Sequence, residues 1–168
     1  MSAIALRPFL PADGSRCAAI FKAAVEVLTE EDYDADQRAA WARRADDVKA
    51  LTERLDEGLT LVAAREGRMV GFASLKDNKL VDMLYVDPDA ARRGVATALL
   101  DALMRIAAGR GAGKLTADVS ETALPLFRKF GFAPERRNIV ALDDEWLANT
   151  TMSKTLSAAP AEPKPTAH

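Results

Sequence analysis

Residues 84–107, LYVDPDAARRGVATALLDALMRIA, decide how the chain reads. An apolar run that starts at Leu80 ends at Asp87-Pro88. Pro88 cannot donate to a strand ladder, so the run closes there. Val95, Leu99, Leu103 and Ile106 then fall on one helical stripe, which Leu100 and Met104 widen. The spacing predicts a helix over 93–108, entered through Arg92, Arg93 and Gly94. A helix N-terminus leaves its first backbone N–H groups unpaired and partly positive, which makes it a site for anions. Gly94 has no Cβ to hold a ligand away from that backbone, and two arginines add mobile positive charge. The group this combination suits is a pyrophosphate.

Working outward, residues 80–86 (LVDMLYV) are apolar at nearly every position, as a strand buried in the middle of a sheet would be. Before them, TLVAA and MVGFASL read as strands joined by the turn REGR, and KDNK makes a second turn. Residues 4–9 read as a first strand and 11–28 as a helix, with Asp13 placed to cap it. Residues 29–45 turn helical in their second half, and 46–56 read as a short helix. Downstream, GRGAG (109–113) breaks the long helix, 114–119 is a strand, and 122–130 is a short helix that Gly131 ends. Residues 132–142 and 145–156 read as a final antiparallel pair. The expectation is an α/β fold of the α+β kind. It has a mixed, mostly antiparallel sheet of about seven strands, about four flanking helices and a βαβ crossover over 80–118. Residues 1–156 form one domain in this reading, and the Pro/Ala-rich 157–168 a disordered tail.

Composition removes several kinds of chemistry. Cys17 is the only cysteine, so no internal disulfide forms; within its helix it reads as a small buried apolar residue. His168, the last residue, is the only histidine, so a Cys/His zinc site and a Ser-His-Asp triad both lack their parts. No metal is expected. With 23 basic and 25 acidic residues, net charge −2, the chain has no general attraction for nucleic acid or an acidic membrane. The N-terminus lacks a signal-peptide pattern, and no apolar run reaches the ~18 residues of a membrane span. A soluble, cytoplasmic protein is expected, as a monomer or homodimer.

Two other phosphate motifs fail. The dinucleotide glycine fingerprint is absent from the 87–94 turn. GRGAGKL (109–115) has Ala108 at the first glycine position of a P-loop and Leu115 where a Ser/Thr is needed, and it precedes a strand instead of following one.

The stretch LYVDPDAARRGVATALL resembles the acetyl-CoA pyrophosphate loop of the GNAT N-acetyltransferase superfamily. That loop has Arg or Gln, two free positions, Gly, one free position, then Gly or Ala. Gly94 and Ala96 match; Ala91 stands where Arg or Gln is usual. TALPLFRKFGF (122–132) resembles the family's later helix and its closing signature, 37 residues on between Gly94 and Gly131. The resemblance covers residues 4 to about 156. It implies acetyl transfer from acetyl-CoA to a primary amine by direct attack. It also implies a V-shaped gap between strands 80–86 and 114–119. Pantetheine would pair with the backbone of Leu84, Tyr85 and Val86. The pyrophosphate would sit on the amides of Arg92, Arg93, Gly94, Val95, Ala96 and Thr97. Ser120 and Phe127 fall at cofactor-side positions.

The same resemblance frames the proton transfers. Asp82, a carboxylate in an apolar run, stands where some members carry a base; it is equally a candidate substrate contact, or a hydrogen-bonded group that orients the site. Phe127 occupies the position where many members carry a proton-donating Tyr. Tyr85 is the remaining phenol in the right strand, with release of the thiolate to water as the alternative. Strand alternation would place Tyr85 and Asp82 on opposite faces. Ser120, where the family often has Asn, either contacts cofactor or caps the helix after it. Tyr33 and Trp41 are candidate walls of an acceptor pocket or core aromatics. The acidic run Glu30–Asp36 either draws a cationic amine or is a solvated helix entrance. The unknown amine acceptor stays open, and so does a non-catalytic acyl-CoA sensor or partner-binding module on the same fold.

Overall fold

The computed structural model describes residues 3–156. Among the described residues seven strands form one sheet: β1 (Ala5–Pro8), β2 (Leu59–Arg65), β3 (Arg68–Lys76), β4 (Leu80–Val86), β5 (Lys114–Ser120), β6 (Ala133–Leu142) and β7 (Glu145–Thr155). Their spatial order is β1-β2-β3-β4-β5-β7-β6. Only β4 and β5 run parallel; every other neighbouring pair is antiparallel. The apolar run 80–86 is therefore the central strand, as its composition predicts. The expected tail 157–168 lies outside the described residues.

Five α-helices flank the sheet among the described residues, one more than expected: α1 (Gly14–Leu28), α2 (Ala35–Ala42), α3 (Val48–Glu57), α4 (Val95–Gly109) and α5 (Leu124–Lys129). Residues 35–57 divide because two carboxylates each start a helix. Asp34 accepts from Gln37 N at 2.8 Å while Gln37 returns a bond to Asp34 N. Asp47 accepts from Ala50 N at 3.0 Å. Asp13 does not cap α1 as expected. Arg7 holds both its oxygens at 2.8 Å, and one of them also accepts from Leu10 N, so its carboxyl is held below the usual range by that partner.

Each face of the sheet buries its own core. On one, α4 and α5 cover Ala73, Leu75, Val81 and Leu115, and Leu99, Leu100 and Leu103 are fully buried against them. Each such leucine contributes about 1.5–3 kcal/mol of burial. Gly71 sets how closely α4 can lie on β3: a Cβ there would stand 2.9 Å from Val95 Cγ1. On the other face, Cys17, Ile20 and Val25 of α1 and Leu51 and Leu55 of α3 pack on Val62, Phe72 and Met83. Burial among these pushes the Cys17 thiol up to about 12, which suits an inert core residue.

Two irregularities in β4 shape everything that follows. Met83 pairs with Ser74 and Val81 with Leu75, which leaves Asp82 as an extra residue, a bulge. And β4 meets β5 at one register pair only, Leu80 with Thr116. Beyond it the strands part.

Candidate active site

The parting of β4 and β5 opens a cavity of about 420 Å³. Its walls include Leu84, Tyr85 and Val86 on one strand and Ala117 and Val119 on the other. These three β4 residues pair with β3 along one edge, and no described strand pairs with the other. Phe127 closes the far wall, 3 % exposed and packed edge-on against Phe132.

The cavity runs up to the start of α4. The first intrahelical bond there is Ala98 N to Gly94 O at 3.0 Å, so the amides of Val95, Ala96 and Thr97 have no partner within the helix. Arg92 and Gly94 both take left-handed backbone, with φ of 62° and 84°. Left-handed residues in a turn are a feature of the backbone nests that bind anions. Gly94 meets nothing within 4 Å of where a Cβ would stand, so glycine serves here for its φ and for the open space above the amides. Arg92, Gly94, Val95, Ala96 and Thr97 all line the cavity. Arg93 is exposed and outside the wall, so it adds charge near the loop without forming the cradle. Asp87 anchors the loop. Its N donates to Val70 O at 2.8 Å, and its carboxylate accepts from Asp89 N at 3.0 Å and Arg16 Nη2 at 2.6 Å. Burial works to raise the Asp87 carboxyl, but these donors and Arg68 outweigh it and hold it low.

A second cavity, about 390 Å³, opens on the α1–α3 side. The two share part of their walls: Trp41, Asp82, Tyr85, Asp118 and Ser120 line both. The bulge is why Asp82 and Tyr85 meet, against the alternation expected from sequence. The extra residue turns Asp82 toward α3, where Arg54 grips it with Nε to Oδ2 at 2.8 Å and Nη2 to Oδ1 at 2.7 Å. Asp82 is 11 % exposed and Arg54 51 %, so the pair sits at a cavity rim, open to solvent on the arginine side. Tyr85 packs on Phe21 and Phe72, with ring centroids 4.3 and 5.7 Å away, and its hydroxyl accepts from Trp41 Nε1 at 3.2 Å. Burial pushes its pKa up to about 12.

Tyr33 and Trp41 line the second cavity and pack edge to face at 5.4 Å. The Tyr33 hydroxyl donates to Ala148 O at 2.6 Å and accepts from Glu121 N at 3.0 Å, joining α2's approach to β7; burial raises its pKa. Ser120 Oγ accepts from Ala123 N at 3.2 Å, in the turn that leads into α5. The acidic residues of the run, Glu30, Glu31, Asp32, Asp34 and Asp36, line neither cavity. Asp34 caps α2 and Asp32 accepts from Thr122, which is the behaviour of a helix entrance.

Three residues at the site were not singled out from sequence. Arg54 reaches Asp82 from 28 residues away, on a helix whose polar face is charged throughout. Asp118 interrupts KLTADVS as any solvent-side strand residue would; Thr151 Oγ1 donates to its Oδ1 at 2.6 Å. Arg44 follows α2 and lines only the second cavity.

A parallel strand pair that parts beside a helix start is the arrangement that the resemblance to the GNAT superfamily implies, and here a second cavity meets that gap at a tyrosine and two carboxylates. Residues 29–156 match the family model described as an acetyltransferase (GNAT) domain, and the chain belongs to that family. It is 35 % identical over 152 residues to the N-acetyltransferase YafP of Escherichia coli K12, covering 90 % of this chain and 96 % of that one. It resembles the crystal structure of a GCN5-related N-acetyltransferase from Rhodopseudomonas palustris, at 51 % identity and TM-score 0.90, over 93 % of this chain and 98 % of the other. The PaiA N-acetyltransferase of Thermoplasma acidophilum, solved in complex with coenzyme A, shares the fold at 17 % identity and TM-score 0.75, over 91 % and 99 % of the chains.

Proposed function

We propose that this acetyltransferase moves the acetyl group of acetyl-CoA to the primary amine of a small molecule or peptide by direct attack, in the cytoplasm. The observation that carries the reading is the meeting of the two cavities where β4 and β5 part. A donor entering from the α4 side and an acceptor from the α3 side would come together at Tyr85, Asp82 and Asp118.

The residues fit the donor. The unpaired amides of Val95, Ala96 and Thr97, with Arg92 beside them, would hold the pyrophosphate. The open edges of Leu84, Tyr85 and Val86 would pair with the pantetheine amides as a strand does. Phe127 and Val119 offer apolar surface, and Ser120, whose Oγ is engaged with Ala123 N, lines the wall. Bound acetyl-CoA supplies a thioester: the amine's lone pair forms the C–N bond, the C–S bond breaks, and its electron pair leaves on sulfur.

The chain's own groups handle the protons. An amine with pKa about 10 is mostly charged at neutral pH and must lose a proton to react. Asp82 has both oxygens engaged by Arg54, which favours the orienting role for it. Asp118 is exposed and has one oxygen outside its bond with Thr151, so it takes the ammonium proton, directly or through water, passes it to solvent, and then takes the second N–H proton as the amide forms. Tyr85 Oη accepts from Trp41 and so keeps its own proton free to donate as a hydrogen bond. At about 12 the phenol is too weak an acid to hand that proton to a thiolate of pKa about 8.5. The leaving sulfur is steadied by Tyr85 and protonated by solvent.

Calorimetric titration with acetyl-CoA and CoA, beside NAD and ATP, followed by turnover on an amine panel, tests the reading. Binding of acetyl-CoA and CoA alone, with turnover, supports it. Binding without any turnover would make the chain a sensor, and no binding would remove the cofactor altogether. Tyr85→Phe is expected to lower kcat about 10-fold at near-constant acetyl-CoA affinity. Its ring contacts survive, so stability should fall only about 1 kcal/mol as Trp41 Nε1 loses its acceptor. Wild-type activity should show no loss below about pH 11 from phenol ionisation, since the raised pKa keeps Tyr85 neutral there. A wild-type inflection near pH 10 that disappears in Tyr85→Phe would refute this role.

A further inference from the structure

The charges of the second cavity are arranged with a direction. Both carboxylates in its wall, Asp82 and Asp118, lie in the part shared with the first cavity; both guanidiniums, Arg44 and Arg54, lie in the part that is not shared. Arg54 and Asp82 satisfy one another. That leaves one carboxylate, Asp118, at the joint and one guanidinium, Arg44, away from it. The exposed Arg44 side chain makes no ion pair or hydrogen bond with any described residue, whereas that of its neighbour Arg43 is paired with Asp143 at 3.0 Å. Arg44 is close enough for its charge to act on the Tyr85 phenol. Much of the remaining wall is apolar: Phe21, Leu51, Val140, Leu142 and Leu147. The volume suits a small molecule.

We infer that the acceptor is a small zwitterion, a primary amine joined by an apolar stem to a carboxylate, held with its amine at Asp118 and its carboxylate on Arg44. This rests on the acetyltransferase reading above. The amine must lie at the joint to reach the donor, and Asp118 is the carboxylate there that makes no ion pair and keeps one oxygen outside its bond with Thr151. An anion at the other end gains a bidentate partner in Arg44, which is exposed at the solvent side of the apolar wall. A polyamine or a lysine-rich tail would instead bring a second cation against Arg44, with no spare carboxylate to receive it.

The test uses ω-aminocarboxylates of stepped chain length, each beside its carboxamide and the plain alkylamine of equal length, with rates compared per neutral amine so that differences in basicity drop out. At one length, kcat/KM for the carboxylate should exceed that for its carboxamide by about 3- to 5-fold, the value of one ion pair on an exposed guanidinium. Arg44→Ala should abolish that ratio and Arg44→Lys restore part of it. A ratio near one at every length, a preference for a linear polyamine, or a ratio that survives Arg44→Ala overturns the inference while leaving acetyl transfer intact. A second readout does not need turnover. In a Trp146→Phe background, Trp41 in the cavity wall reports binding by fluorescence; Trp146 is 65 % exposed and its loss should be benign. Carboxylates should quench it at lower concentration than carboxamides, and only while Arg44 is present. Failure of acetyl-CoA to bind would sink the proposed function; equal quenching, or none by either series, sinks the zwitterion.

Discussion

Ala96→Glu is expected to weaken acetyl-CoA binding about 100-fold while the protein melts at the same temperature or slightly higher. The two effects have opposite signs because they act on one electrostatic feature. Ala96 is the second residue of α4 and lines the donor cavity. A carboxylate at that position faces the positive end of the helix dipole, which stabilises a helix by about 0.3–1 kcal/mol. For a chain of this size that is about 1–4 °C in Tm. The same carboxylate takes the place proposed for the pyrophosphate. It would remove charge-assisted bonds worth about 1.5–3 kcal/mol each and add repulsion, so a loss near 3 kcal/mol, or about 100-fold, follows. Ala96→Gln separates charge from bulk and should lose about 10-fold or less. Calorimetry and a thermal melt on the same samples decide it. Unchanged affinity in Ala96→Glu would mean that the first turn of α4 is not where the cofactor's charge rests. Equal losses of affinity and stability would mean a packing defect.

The apolar run of β4 and the stripe of α4 announce themselves because each is a local pattern of many residues, and one period decides them. The order of elements followed from the same patterns, and the helix-start loop from its glycine and arginines. The meeting of Asp82 with Tyr85 did not, because it depends on a bulge. One unpaired residue reverses the face that strict alternation assigns, and the sequence LVDMLYV contains no mark of it. Arg54 was hidden for a different reason. It is one of several charges on an amphipathic helix, and only the tertiary fold selects which of them finds a carboxylate. Asp118 was hidden by ordinariness: a polar residue at every second position is what an exposed strand face looks like, and only the parting of β4 from β5 turns that face into a cavity wall. The Asp13 cap failed by competition, since Arg7 on β1 offers that carboxylate two bonds where the helix start offers one.

Asp118→Asn should lower kcat/KM about 100-fold at neutral pH and leave acetyl-CoA affinity within twofold. General-base help is commonly worth 10²–10⁴-fold, and solvent access at this exposed site places the expected loss at the low end of that range. The amide keeps an oxygen for the Thr151 hydroxyl, so the fold should be little disturbed. The pH profile carries the distinction. Without a carboxylate to attract the ammonium and take its proton, the variant must wait for amine that is already neutral. That fraction grows about tenfold per pH unit until the amine's own pKa, near 10. The rate of the variant should therefore climb steeply with pH, and its deficit should shrink as the wild-type rate flattens. Asp82→Asn offers the contrast. Removing one charge of the Arg54 pair loosens the rim on which the acceptor rests, so KM should rise more than kcat falls, and the pH slope should stay that of the wild type. If the two variants exchange these behaviours, the bulge carboxylate is the base after all, and Arg54 would have to release one of its oxygens when acceptor enters.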